Sequence, residues 1–298
     1  FSEPSTNGVA DDQALADATA NFGRVVHAAV VRAKEETGPA FETSLAANWT
    51  KRVPVELLDL LKRASLAGTS LLLPTPTILA KANSVASVSA NSDLDGVFRH
   101  ALLAGRIGEV VIPNLPMAMA LLAGEKIRAS ALSYFITEAN SLAIRFNAPR
   151  AYPSFSAAAL INSELAIRAG ERPQVDPHIF SGALVFVGVS APGLFDVKPT
   201  AIDPKLLGVE LNAHILDNLI HGDFAKVFST RETLLISALF TFIVAGSTFA
   251  ASTTVTMLFR QFCLLTLWPA LAFAIALHGV WLPLTTPFTA VSAIFPPY

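Results

Sequence analysis

Charge is nearly missing from the last 66 residues: from Thr233 to Tyr298 the chain carries Arg260 and no Asp, Glu or Lys. A water-exposed helix needs a polar face, so this stretch is excluded from an ordinary soluble surface. Cysteine is almost as scarce, since Cys263 stands alone inside that apolar tail. The 232 residues before it therefore form no disulfide and no thiolate-ligated metal site. No basic run occurs either. The front part holds 20 Lys and Arg against 23 Asp and Glu, a net of −3. Nucleic acid and anionic membrane surfaces are given nothing to hold. Internal repeats and low-complexity tracts are also absent.

What is present is apolar. A mean hydropathy of +0.51 with 15% charged residues suits a chain that is part soluble and part membrane-embedded. Residues 233–259 are 27 positions without charge, longer than the ~20 residues a bilayer crossing needs. Arg260 and Gln261 interrupt, residues 262–277 form a second apolar run, and residues 280–298 a third, broken by Pro283 and Pro287. Three spans are expected, with Trp268, Trp281 and Tyr298 as candidate interfacial anchors. Arg260 is the basic residue of the short loops, so the first turn between spans is expected in the cytoplasm and the soluble part outside. A start at Phe1 and an end just after an apolar stretch read as the middle of a longer protein.

Residues 1–228 alternate helical and extended patterns. Asp11 or Asp12 opens a helix to Asn21, with Leu15, Ala18 and Phe22 on one stripe and Gly23 ending it. A strand is expected over 24–31, an amphipathic helix over 55–64, and a short strand over 85–88. Pro116 starts a helix that Gly124 ends. Residues 142–146 read as a strand, and Ser154 or Ser156 caps a helix to about Ser163. The run Ala183-Leu184-Val185-Phe186-Val187-Gly188-Val189 reads as a buried strand. Residues 207–220 read as a helix with Val209, Ala213, Leu216 and Ile220 on its apolar stripe. Such alternation implies an α/β fold, a layered mixed sheet flanked by helices, ahead of the membrane bundle.

Three segments then carry a family resemblance. They are Asn91-Ser92-Asp93-Leu94-Asp95-Gly96-Val97-Phe98-Arg99, the stretch from Tyr152 to Leu160, and the stretch 180–219. The last holds Leu184-Val185-Phe186-Val187-Gly188, Asp196, Thr200, Asp203-Pro204 and Gly208-Val209-Glu210. Together they resemble the second type of CHASE domain, a sensory extracellular domain associated with cyclases and histidine kinases. Pro199-Thr200 inverts the family's Thr-Pro order, and Asn212 stands where the family has His, with His214 displaced by two. The resemblance implies a sensor followed by three spans and a cytoplasmic output domain. That output is expected to be an adenylate or guanylate cyclase, or alternatively a histidine or Ser/Thr kinase.

Four residues are the candidate signal contacts. Ser190 and Asp196 flank a loop at the carboxyl end of an expected strand, where α/β domains tend to bind ligands. Arg99, one turn from Asp95, either pairs with it or holds an anion in its fork. Gly188-Val189-Ser190-Ala191-Pro192 nearly matches a nucleophile elbow, with Asp196 and His214 following in hydrolase order, but Pro192 replaces the second glycine. A membrane-anchored serine hydrolase using Ser190 is the rival reading. The loop lacks G-K-[ST] and G-x-G-x-x-G, which weakens phosphate binding. His214, Asp217 and His221 read as a solvated polar helix face rather than a metal site. No catalytic residue, metal or cofactor is expected in this chain. The expected partners are the lipid bilayer of the inner membrane, an unidentified small-molecule or physical stimulus and, by resemblance, a second copy in a homodimer.

Overall fold

Val26–Arg32 (β1) puts alternate side chains inside and out, so one face is packed and the other open. This computed structural model describes residues 3–32, 49, 52–148, 150–189 and 196–282. Ahead of β1 lies helix Val9–Phe22 (α1), ended by left-handed Gly23. Asp11 and Asp12 sit in its first turn, and Gly8 takes the capping position. Its inward face is Ala16 and Thr19, not the expected Leu15, Ala18 and Phe22; Phe22 is exposed. The small residues let α1 lie close to its neighbour, and Thr19 Oγ1 meets the His27 ring at 3.1 Å.

Pro54 leads into Val55–Arg63 (α2), whose Leu57, Leu60 and Leu61 are buried at helical spacing. Ser65–Gly68 (β2), Ser70–Leu72 (β3), Pro76–Leu79 (α3) and Ser84–Ser87 (β4) follow. β1 pairs in parallel with β4 and antiparallel with β3. After His100–Ala101 (β5), strands Ala104–Ile107 (β6) and Val110–Pro113 (β7) join β2 in a second small sheet. The two sheets meet at Val31: a Cβ on Gly68 or on Gly105 would lie 2.3–2.4 Å from its methyl groups. Only glycine allows that approach.

Leu115–Leu122 (α4) starts at Asn114, whose side chain accepts from Met117 N at 2.9 Å. It touches both β1 and β4 and the later helix Gly208–His221, here α7. Ala129–Phe135 (α5), Leu142–Ala143 (β8), Ala157–Arg168 (α6), Val197–Lys198 (β9) and Leu206–Leu207 (β10) complete the chain between them. The core joins Leu57, Leu61, Leu103, Met117, Leu142, Ile144, Leu211, Ile215 and Phe224.

The fold is α/β, but its strands form small separate mixed sheets rather than one layered sheet. The expected strand over 183–189 is not formed: among the described residues the segment pairs with no strand, and its valines are exposed. Beyond β8, Ile144 N still donates to Arg99 O, but the backbone of Arg145 is hydrogen-bonded by a side chain. Asn218 Oδ1 accepts from Arg145 N at 2.9 Å and its Nδ2 donates to Arg145 O at 3.0 Å.

Lys226–Val227 (β11) leads into two long helices, Thr230–Phe249 (α8) and Thr254–Ala276 (α9). Both are long and apolar enough to cross a membrane, with mean hydropathy 1.6. Only 22% and 6% of their apolar windows are buried, unlike the core helix of a soluble protein. Phe240 packs on Trp268 at 5.1 Å between them. Two such helices, not three, occur among the described residues; of the expected third span only 280–282 is described, and Val280–Trp281 (β12) pairs with β11. The first span is also shorter than expected. Thr253 caps α9, so the turn falls at 250–253, and Arg260 lies inside α9 with its guanidinium folded back to Ala250 O at 3.1 Å. The long side chain thus carries its charge back to the turn although the residue itself lies inside α9.

Candidate functional site

The Asp-Gly segment closes a turn in which Gly96 N donates to Asp93 O and Val97 N donates to Asp95 Oδ1. Left-handed Gly96 supplies the backbone bend. Arg99 then spends its fork inside the chain: Nη1 and Nη2 reach the two Asp95 oxygens at 3.0 and 2.8 Å, and Nη1 reaches Asp93 at 3.0 Å. The Arg99 hydrogen bonds, with that from Val97 N–H, hold the Asp95 carboxyl down to about 2. The two carboxylates raise Arg99 in turn. Asp93 also takes His100 Nδ1 at 2.7 Å.

Asp196 is a close neighbour of this turn. Phe98 N donates to Pro199 O at 2.7 Å, and Lys198 Nζ stands over the Phe98 ring at 5.4 Å and 3.7 Å from Asp196 Oδ1. The Asp196 carboxylate lies at the start of α7, where a Cβ on Gly208 would meet it at 2.3 Å. The structure thus brings Asp95, Arg99 and Asp196 to one side of the domain, although Asp95 and Asp196 are 101 residues apart in sequence. Ser190, with 191–195, lies outside the described residues.

A cleft of about 590 Å³ opens where the domain meets α8. Asp93 and His100, Glu138 and Lys226, and Thr230 and Glu232 from the first turn of α8 line it together. Ser229 and Glu232 cap α8 reciprocally. Glu138 adds a second cap from the domain: it accepts from Thr230 N at 3.0 Å and from Thr230 Oγ1 at 2.5 Å. Lys226 Nζ donates to Tyr134 O at 3.0 Å and lies 4.5 Å above the Tyr134 ring. Both negative ends lie where the helix dipole favours them. Sequence reasoning did not single out Glu138, His100, Lys226, Thr230 or Glu232. The Ser229-x-x-Glu232 spacing just before an apolar run was the available signal; nothing local marked Glu138.

The expected solvated face of α7 is a correction. His214 is 1% exposed, and Leu211, Ile215, Asn218 and Leu219 are buried with it; of the expected stripe Leu216 is buried, Val209 and Ala213 are half-buried and Ile220 is exposed. His221 is exposed and contacts Asp217 at 3.2 Å. Among the described residues no group of three His, Cys, Asp or Glu side chains is placed to hold a metal.

A family model for the CHASE2 domain matches residues 1–251, the domain together with α8. No curated protein and no solved structure matches the chain. With most of its length covered by that model and its soluble part poised on an apolar helix, the chain belongs to the CHASE2 domain family, an extracellular sensor domain family.

Proposed function

We propose that this chain is the extracytoplasmic input module of a multi-pass inner-membrane signalling protein, and that the cleft at the head of α8 reads its stimulus. One observation carries the proposal: the cleft shares its walls between the Asp93–His100 turn and the first turn of a membrane helix. An occupant there touches both parts at once. Displacing Glu138 from Thr230 removes a helix cap worth about 1 kcal/mol, a fivefold change in a two-state equilibrium. Signalling needs only such a difference in affinity between two arrangements. In this reading Arg99 and Asp95 brace Asp93, Asp196 braces the same wall through Lys198 and Phe98, and Ser190 stays a proposed contact. The output is an adenylate or guanylate cyclase working as a homodimer, supported by the family's association with such enzymes.

The test is cyclic nucleotide formation by membranes holding the full-length protein. Glu138→Ala should change the basal rate about fivefold, while Arg168→Ala, on exposed α6, should leave it unchanged. A cyclase indifferent to Glu138→Ala would remove the cleft from the signal path. Phosphoryl transfer without cyclic nucleotide would replace the cyclase by a kinase.

A further inference from the structure

His214 sits in a bracket built for a neutral imidazole. Its Nδ1 faces the Asn147 backbone N–H at 3.4 Å and the Tyr152 hydroxyl at 3.4 Å. An N–H can only donate, so the Nδ1 that faces it must be unprotonated. The rings of Phe146 and Tyr152 stand edge-on to the imidazole at 5.3 and 5.0 Å. The bracket joins α7 to residues 145–148 and to Tyr152, which are otherwise held to α7 by Asn218 and by Asn147 Nδ2 on Asp217 Oδ2 at 2.8 Å. Beyond them lie α6 and 183–189, whose apolar side chains are largely exposed.

We propose that His214 is a proton-operated latch: neutral, it holds 145–148 and Tyr152 against α7, and on protonation in mildly acidic surroundings it releases them. Protonated Nδ1 becomes a donor facing the Asn147 N–H, and the ring, 1% exposed, holds its charge away from bulk solvent. The ionisable groups around it are few. Asp217 lies a turn along α7 and favours the charged ring. Tyr152 is neutral across this range, its hydroxyl raised by burial. Arg145 is engaged by Asp223 at 2.6 Å. α4, which packs on α7, has no ionisable residue. Burial outweighs Asp217 and pushes the His214 imidazole below its ordinary value.

The sign follows. The released histidine titrates near 6.5, and the latched one lower. Release therefore takes up a proton, and opening grows as pH falls below about 6.5, by up to about tenfold per unit, until the latched value is passed. Above 6.5 it is flat. The latch is independent of what the membrane-side cleft binds.

Hydrogen exchange of the full chain in detergent, corrected for intrinsic rates, tests this between pH 7.5 and 5. Protection of 145–148 and of Tyr152 should fall steeply below pH 6.5, and His214→Gln, whose amide oxygen still accepts, should abolish the slope. His27→Gln, which alters the other buried histidine, should keep it. A flat wild type, or an unchanged slope in His214→Gln, overturns the proposal. Should His214→Gln not fold, imidazole titration of the wild type by NMR decides alone: a His214 midpoint at or above 6.5 overturns it.

Discussion

Replacing Asn218 by Ala removes two hydrogen bonds at once, one to each polar group of the Arg145 peptide. Asn218 is 3% exposed, so water does not fill the gap freely. Each bond has a net worth of about 1 kcal/mol, and each orphaned backbone group adds a desolvation cost that brings the pair to about 2–4 kcal/mol. For a domain of this size that is a fall in melting temperature of roughly 6–12 °C. Differential scanning calorimetry of the detergent-solubilised chain measures it. Asn218→Asp is the companion: it keeps an acceptor for Arg145 N but turns a carboxylate oxygen toward Arg145 O, so it should also destabilise. A loss below about 0.5 kcal/mol in Asn218→Ala would refute the idea that this side chain stands in for a strand.

Two further outcomes are expected. Because Asp95 is held down to about 2, its contribution is present above the unfolded value near 4 and is lost as pH falls toward 2. Carboxyl NMR should place its midpoint near 2 in the wild type and near 4 in Arg99→Gln; a wild-type midpoint near 4 would mean the fork does not close in solution. In a Cys263→Ser background, cysteines placed at Ser92 and at Ser252 should react with an impermeant maleimide from opposite sides of the membrane. Labelling from one side only would break the spanning hairpin.

Element ends were legible where a side chain or a backbone constraint announces them. Asn114 and Pro116 mark the start of α4, Ser156 that of α6, and Gly23 the end of α1. Leu57, Leu60 and Leu61 show the buried face of α2 because nothing polar competes for it. The face of α7 was not legible. Hydrophobicity favours Val209, Ala213, Leu216 and Ile220, and of these only Leu216 is fully buried; the buried side takes His214 and Asn218 as well, because the backbone at 145–147 needs donors and acceptors. The stretch 183–189 has strand composition, but a strand exists only with a partner, and composition names none. At the candidate site, the spacing of Asp95 and Arg99 made a pair legible, and the pair forms, whereas Glu138 gave no signal. Its role depends on Thr230, 92 residues away.

Composition by itself marked the tail as apolar enough for lipid, because the absence of charge over tens of residues is a property of solvent transfer and needs no coordinates. Order along the chain likewise decided an α/β part ahead of it. Which helix face turns inward, where the membrane helix truly begins, and which carboxylate caps it were settled only by tertiary structure. Those choices depend on pairing groups far apart in sequence, and hydrogen bonds are satisfied in space rather than along the chain.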